Sequence, residues 1–556
     1  MKRKLEQLTN QTFDLLIVGG GIHGAVAAWD AALRGLSVAL IERGDFGSET
    51  SQNSLKIIHG GLRYLQDGNL SRIRQMARER TTWMRIAPHL VHPLTCLTPT
   101  RQKFSRSRLT LGIALTANDL LSFDRNRIND VGKRLPHGNL ISPEELASLL
   151  PKYDVSTSTG AAVWHDAQIF NSERLLLEFI IAASDAGAEL ANYVEAIGFL
   201  RTGDKITGVQ AKDVRSDEVF DIKARLVLNC AGAWTDDLLR TTSLRSEYIP
   251  SVAVNVIVDK VWSGVAAGLP SQPSDGRPPQ ILFFVPWRDK TMIGTWHIPW
   301  NDSPDQFIMN KEVLQPFIDE INSAHHPLQL TLEGIQHVTW GFLPVNKEDA
   351  NRQQVKLTRD GVVIDHQKKD NIQGLISVLG VKYTTARVVA EKAIDLAVNK
   401  LSIKAKNCAT NRTPVHGGMV DNFYSFFQQA KVDSSDLLDD ETIEHLVYTY
   451  GSSYKDLLGY MNEQPVLVER LDSNSSVTKA EIVHAIRQEM AVTLTDVIQR
   501  RTELGSAGLP SMAVLQKCAE VMGNELGWSL EQQSQEIDSV LQKYPFKHKL
   551  MERETA

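Results

Sequence analysis

The chain is poor in cysteine, with four in 556 residues (Cys96, Cys230, Cys408 and Cys518) and no C-x-x-C pair among them. A disulfide framework or a zinc site is therefore not expected, and a reducing, cytoplasmic compartment fits. No apolar run approaches the roughly 18 residues that suggest a membrane span. Stretches such as Leu175–Ala183 are too short. The basic start Met1-Lys-Arg-Lys leads into Leu-Glu-Gln-Leu-Thr-Asn-Gln, so no secretory apolar region follows. Neither sign of charge dominates: 60 basic against 66 acidic residues give a net charge of −6, which excludes a nucleic-acid binder held by net charge. Internal repeats and low-complexity tracts are absent as well. With 42% hydrophobic and 23% charged residues, the composition is that of a globular protein, neither disordered nor fibrous. Single cores stop growing near ~250–300 residues, so two or three domains are expected.

What is present begins at residue 13. Leu15–Val18 is a short continuous apolar run, the pattern of a strand buried on both faces of a parallel sheet. Gly19, Gly21 and Gly24 supply G-x-G-x-x-G; Ala25–Arg34 is Ala-rich and helical, Gly35 ends it, and Val38–Ile41 forms a second strand closing on Glu42. Gly19 allows the tight turn, Gly21 admits a pyrophosphate to the backbone, and Gly24 lets helix and strand pack closely. Phosphates then sit at the helix N-terminus, where free N–H groups and the dipole favour negative charge. Glu42 is placed to accept hydrogen bonds from a ribose diol. The glycine motif alone is weak, but strand, helix and terminal acid together define a dinucleotide-binding unit. Its place at the start of the chain leans towards FAD. His23 inside the loop reads as a spacer rather than a catalyst.

The next segment runs from Gly44 to Leu65 and contains Lys56-Ile57-Ile58-His59-Gly60-Gly61-Leu62-Arg63-Tyr64-Leu65. Here the chain resembles the FAD-dependent glycerol-3-phosphate dehydrogenases and oxidases, whose motif after the second strand is K-L-I-H-G-G-L-R-Y-L. Thr50, Ser51 and Ser54 offer hydroxyls where the chain would pass pyrophosphate and flavin, and Gly60-Gly61 would let backbone lie close to the isoalloxazine ring. Arg63 is the candidate for gripping a substrate anion, because a guanidinium fork matches phosphate or carboxylate. For His59 and Tyr64, packing beneath the flavin and direct catalysis both stand open.

The resemblance continues through residues 12–545. Asp166, Arg174 and Leu175 fit a short segment before the next helix, expected over Glu173–Ala186 as an amphipathic element. A backbone contact to adenine would fall near Val194. Ala231 and Gly232, after the strand that starts at Leu226, are small where backbone and cofactor would touch; Cys230 reads as core. Gly380-Val-Lys-Tyr-Thr-Thr-Ala-Arg resembles the segment that returns to the flavin, with Gly380, Lys382, Thr384 and Thr385 placed there and plain N-capping as the other reading of the threonines. Arg500-Arg501 resembles an Arg pair of the family's C-terminal helical domain, read here as a solvated or domain-bridging face.

The departures lie over the substrate. Leu343 replaces a family Arg that contacts the substrate phosphate, Asn255 replaces a family His, and Trp296-His297 replaces a Thr-Asp pair. Loss of a charge-assisted hydrogen bond typically costs ~1.5–3 kcal/mol, so a phosphomonoester would lean on Arg63 and Lys382. Trp296 would make the pocket more apolar or offer a stacking face, and His297 would either supply a base or fill space.

The fold expected is α/β: a Rossmann-like FAD-binding domain of the glutathione-reductase type over 12–250, completed by 366–405, a β-sheet substrate domain over 251–365, and a C-terminal α-helical domain over 415–548. The resemblance implies FAD, oxidation of sn-glycerol 3-phosphate or a related secondary alcohol, and His59, Arg63, Lys382 and His297 as catalytic candidates. It implies a quinone or dioxygen as electron acceptor, with peripheral contact at the inner face of the cytoplasmic membrane and a homodimer as further expectations. Alternatives are another polyol, a hydroxy acid or an amine as substrate, or a flavin-binding regulatory subunit without turnover; a nicotinamide enzyme would not need the returning Lys382 segment. No metal is expected.

Overall fold

In the computed structural model, which describes residues 1–65, 67–273, 279–346, 358 and 360–546, strand Thr12–Val18 lies inside a parallel sheet. It pairs with Val38–Ile41 on one side and Val219–Asn229 on the other. Leu375–Leu379 and Glu189–Ala191 extend the parallel set, Val362–Asp365 adds an antiparallel edge, and the hairpin Val194–Thr202/Lys205–Asp213 joins Val219–Asn229, for eight strands in all. Alternation decides the two faces. Leu15 and Ile17 point into a core with helices Ile22–Leu33, Ser172–Asp185 and Ala386–Leu401, whereas Leu16 and Val18 meet the core of the hairpin. Helix 172–185 is not amphipathic as expected. Every residue from Ser172 to Ala183 is buried, because the C-terminal helices cover the side the sheet leaves open.

A second sheet of nine strands lies over the carboxyl ends of the first. Its path runs from Ile335–Asn346 through Tyr248–Asp259, Lys290–Pro299, Ile281–Trp287 and Val265–Pro270 to Val91–Thr100, Gly160–Ile169 and Ile57–Ile58, with Asn139–Ile141 attached to Gly160–Ile169. The boundary expected at residue 250 therefore cuts through one hydrogen-bonded sheet: Val265–Ala267 pairs in parallel with Thr95–Leu97. Helix Lys311–Ala324 covers one face of this sheet through Leu314, Phe317, Ile318 and Ile321.

The chain beyond residue 420 is helical, as expected, and includes Phe423–Ser434, Asp440–Tyr450, Tyr454–Glu463, Lys479–Gln488, Met512–Leu526 and Leu530–Leu541. The Arg pair is not solvated. Arg500 and Arg501 are buried on a π-helical turn, Val497–Arg501, and both bind the Asp45 carboxylate. Arg501 donates from Nη1 and Nη2 at 2.6 and 2.8 Å, and Arg500 donates from Nε at 2.5 Å. Burial alone would raise the Asp45 carboxyl, but the two guanidiniums hold it well below the usual carboxylate range. Domain bridging is thus the part of that reading the structure bears out.

Candidate flavin and substrate site

Between the two sheets lies a cavity of about 860 Å³. Its floor is the carboxyl end of the first sheet, where ligands of open α/β sheets bind. The expected residues Gly19, Gly21, Glu42, Thr50, Ser51, Ser54, His59, Val194, Ala231, Gly232, Gly380, Lys382 and Thr384 all line it, as do His297, Asn255 and Leu343. Gly24, Gly60, Gly61, Arg63 and Trp296 do not.

The glycine loop does what its spacing requires. Gly19 has φ +107° and lies so close to strand 219–229 that a Cβ would come within 2.4 Å of the Cys230 carbonyl oxygen. A Cβ on Gly24 would fall 1.9 Å from the Gly19 oxygen, so helix and strand touch through hydrogen there. Helix 22–33 opens on Gly21 without a side-chain cap; only the Ser51 hydroxyl approaches, accepting from Ile22 N–H at 2.9 Å. That end of the helix faces the cavity and suits a diphosphate. Glu42 sits at the next strand end, its carboxylate accepting from Gly20 N–H (2.7 Å) and Gly44 N–H (2.8 Å), with burial raising its pKa. Each oxygen keeps a lone pair for a diol. Val194 N–H is already taken by the Glu42 carbonyl (2.7 Å), so its N–H is not free for an adenine. Uncapped helix end, acid and close glycines fit an ADP-bearing cofactor of the FAD type.

Thr50 is tied to the second sheet. Its Oγ1 accepts from Phe342 N–H at 2.8 Å and donates to the Phe342 oxygen at 3.2 Å. Ser54 lies near Lys56 N–H at 3.4 Å. Lys56 itself is buried in an ion pair with Glu173 (2.9 Å).

Two glycines have a different reason from the one expected. A Cβ on Gly60 would sit 2.0 Å from the Arg80 guanidinium, and Gly61, at φ +93°, packs on Ile73 and Met76. Protein packing, not approach to a ring in the cavity, demands them. Arg63 is exposed on the short helical turn Leu62–Leu65, away from the cavity lining. Its charge still reaches the site: burial and then Arg63 push the His297 pKa down to about 4.

Trp296 is also corrected. Strand alternation turns it away from the cavity, where it stacks on Phe317 of helix 311–324 at 5.7 Å and 15°. Thr295 and His297 are the residues of this strand that face inward. His297 Nδ1 is buried with no hydrogen-bond partner among the described residues. Asn255, across the sheet, accepts from the Thr295 hydroxyl at 2.9 Å and donates to the Asn53 oxygen at 3.0 Å. Leu343 leaves its part of the wall apolar.

The returning segment closes the site. Thr384 Oγ1 accepts from His59 N–H at 3.1 Å and does not cap helix 386–401, nor does Thr385. Lys382 lines the cavity with its ammonium 4.7 Å from the centre of the Tyr64 ring. A Cβ on Gly380 would strike the His23 ring, so His23 is the reason for that glycine. Burial pushes the His23 pKa down to about 4.

Sequence reasoning passed over the hub beneath His59. The buried Asp166 carboxylate accepts from Gly60 N–H (2.6 Å) and Arg80 Nη1 (3.0 Å) on one oxygen. On the other it accepts from Trp164 Nε1 (3.2 Å) and meets His59 Nδ1 (3.2 Å). Burial would raise its pKa, but the His59 hydrogen bond and charge, with Arg80 and Gly60, bring it down to about 2. An Asp two residues after a Trp in a strand was visible as a motif, but not as a partner of residue 59.

Two wound layers meeting at an uncapped glycine turn define a flavoprotein of the two-sheet type. The chain belongs to the FAD dependent oxidoreductase family, whose model matches residues 14–381. Residues 408–533 match the C-terminal domain of alpha-glycerophosphate oxidase. The chain is 31% identical to a glycerol-3-phosphate dehydrogenase of Synechocystis sp., over 99% of this chain and 98% of that one. It is 29% identical to the mitochondrial glycerol-3-phosphate dehydrogenase of Homo sapiens, over 97% of this chain and 74% of that one. The fold is similar to a crystal structure of the glycerol-3-phosphate dehydrogenase from Bacillus halodurans complexed with FAD: TM-score 0.77, 23% identity, 98% and 96% of the two chains.

Proposed function

We propose that the protein oxidises sn-glycerol 3-phosphate, or a closely related secondary alcohol, to the ketone. The observation that carries this reading is His59 on the cavity wall, backed by a buried carboxylate and next to the returning Lys382 segment. FAD, when bound, supplies the acceptor for the hydride that leaves the carbinol carbon. The chain's residues do the rest. His59 takes the hydroxyl proton, Lys382 offers a charge to the substrate anion, and the second sheet covers the site from water. Gly19, Gly21 and Glu42 hold the dinucleotide end, with Ala231 and Gly232 leaving room for it. His297, neutral at pH 7, serves as a hydrogen-bonding group and not as a cation.

Leu343 favours a second reading, an alcohol without phosphate, because it sets an apolar side chain at that part of the cavity wall. Anaerobic mixing of the FAD-loaded protein with glycerol 3-phosphate decides between them. Rapid bleaching of the flavin supports the first; bleaching only by unphosphorylated polyols supports the second. A quinone or dioxygen takes the electrons onward.

Among the described residues no helix is long and apolar enough to cross a membrane. Peripheral attachment is the reading we favour, through helix Arg108–Leu121 and its flanks. Phe104, Leu109, Ile113, Leu120 and Phe123 are all exposed there, with Lys103 and Arg127 exposed beside them. Apolar side chains rimmed by cations suit an anionic lipid surface.

A further inference from the structure

We propose that Asp166 is the positioning residue of His59, fixing its imidazole as the Nδ1–H tautomer and leaving Nε2 as the acceptor for the substrate's hydroxyl proton. The inference rests on the oxidation proposed above and adds to it a residue that touches neither substrate nor cofactor.

Both carboxylate oxygens of Asp166 face donors. Oδ1 takes Gly60 N–H and Arg80 Nη1, and Oδ2 takes Trp164 Nε1–H at 3.2 Å. With three donors already aimed at it and the side chain sealed from solvent, the carboxylate stays ionised and acts only as an acceptor. His59 Nδ1, 3.2 Å from Oδ2, must therefore carry a hydrogen to make a bond there. The ring has little choice of position. Its own backbone N–H is held by Thr384 Oγ1, and its edge meets the Phe283 ring at 5.7 Å. When Nε2 takes a proton, the imidazolium that forms lies against the same carboxylate, which offsets its charge. Arg80 serves the other end: it ties Oδ1 and the His165 carbonyl (2.7 Å), so Asp166 cannot swing away.

The test uses FAD-loaded protein labelled with 15N in its histidines, the His59 signal being assigned by its loss in His59→Gln. Wild-type His59 is expected to show the Nδ1–H tautomer, and Asp166→Asn to turn it to Nε2–H, since the amide now donates. In Asp166→Asn, kcat should fall about a hundredfold or more, the range of a lost general base, while KM stays within about threefold. Placed on His59→Gln, Asp166→Asn should cost nothing further, because Asp166 acts only through His59. An Nε2–H signal in the wild type overturns the proposal, as does a further rate loss in the double variant. If Asp166→Asn does not fold, Asp166→Glu keeps the charge and must keep the Nδ1–H signal; its loss also overturns the proposal. Failure of the substrate reading shows separately, as a wild-type flavin that glycerol 3-phosphate leaves unbleached whatever the tautomer.

Discussion

Asp45 and Arg501 stand 456 positions apart in the chain and meet as a buried pair, two hydrogen bonds of 2.6 and 2.8 Å. Asp45 belongs to the loop that passes from the second strand to the Thr50–Ser54 wall of the cavity, and Arg501 belongs to the C-terminal helices. The pair thus fixes this wall of the cavity to helices that contribute no residue to its described lining. Breaking a buried pair by removing one charge costs about 3–5 kcal/mol. Asp45→Asn should lower the unfolding midpoint and speed FAD release together. Dissociation followed by flavin fluorescence and a denaturant titration check both, and an unchanged release rate would show that the loop holds without its clamp.

Gly24→Ala is expected to weaken FAD binding at least tenfold. The added methyl would lie 1.9 Å from the Gly19 carbonyl oxygen, which forces helix 22–33 off its strand and moves the uncapped N–H groups. Titration of the apoprotein with FAD measures this. Tight binding by the variant would mean that the loop relaxes without cost.

Leu343→Arg restores a cation to the apolar wall. A charge-assisted hydrogen bond is worth ~1.5–3 kcal/mol, so KM for glycerol 3-phosphate should fall roughly tenfold or more, with no gain for glycerol. Trp296→Ala serves as the contrast. Since Trp296 stacks on Phe317 in the core, the cost should appear as about 3–5 kcal/mol of stability, with KM unchanged. A KM effect from Trp296 alone would contradict its outward orientation.

Acid should destabilise the protein through its buried imidazoles. Burial depresses His23, His297 and His337 to about 4, against 6.5 for the exposed side chain. Between those values the unfolded chain binds protons that the native state refuses, so the stability these three histidines contribute is full above pH 6.5 and declines as pH falls towards 4. His297→Asn should flatten part of this slope. Unfolding midpoints recorded from pH 7.5 to 4.5 give the answer, and a slope that the substitution leaves alone would remove His297 from the account.

The dinucleotide half was legible because its physics is local. A strand, a glycine turn and a helix within 30 residues state their own packing, and Gly19, Gly21 and Glu42 came out where spacing put them. The second sheet was read short, since the pairing of Val265–Ala267 with Thr95–Leu97 joins segments that no periodicity links. Trp296 was misjudged by one residue of alternation: in a strand, the neighbour that faces the site is the one beside it. Gly60 pointed to a close approach correctly but could not say that the approaching group was Arg80. Arg500 and Arg501 left a solvated and a domain-bridging face both open, since charged residues are usually exposed, and only the buried Asp45 decides for the second.

Gly19 and Lys382 face one cavity, yet a ribosome adding ~5–20 residues per second separates their synthesis by roughly 20–70 s. Over that interval the other residues of the cavity wall are still being added. The nucleotide pocket is accordingly complete only once Thr384, the last of its described lining residues, has been made.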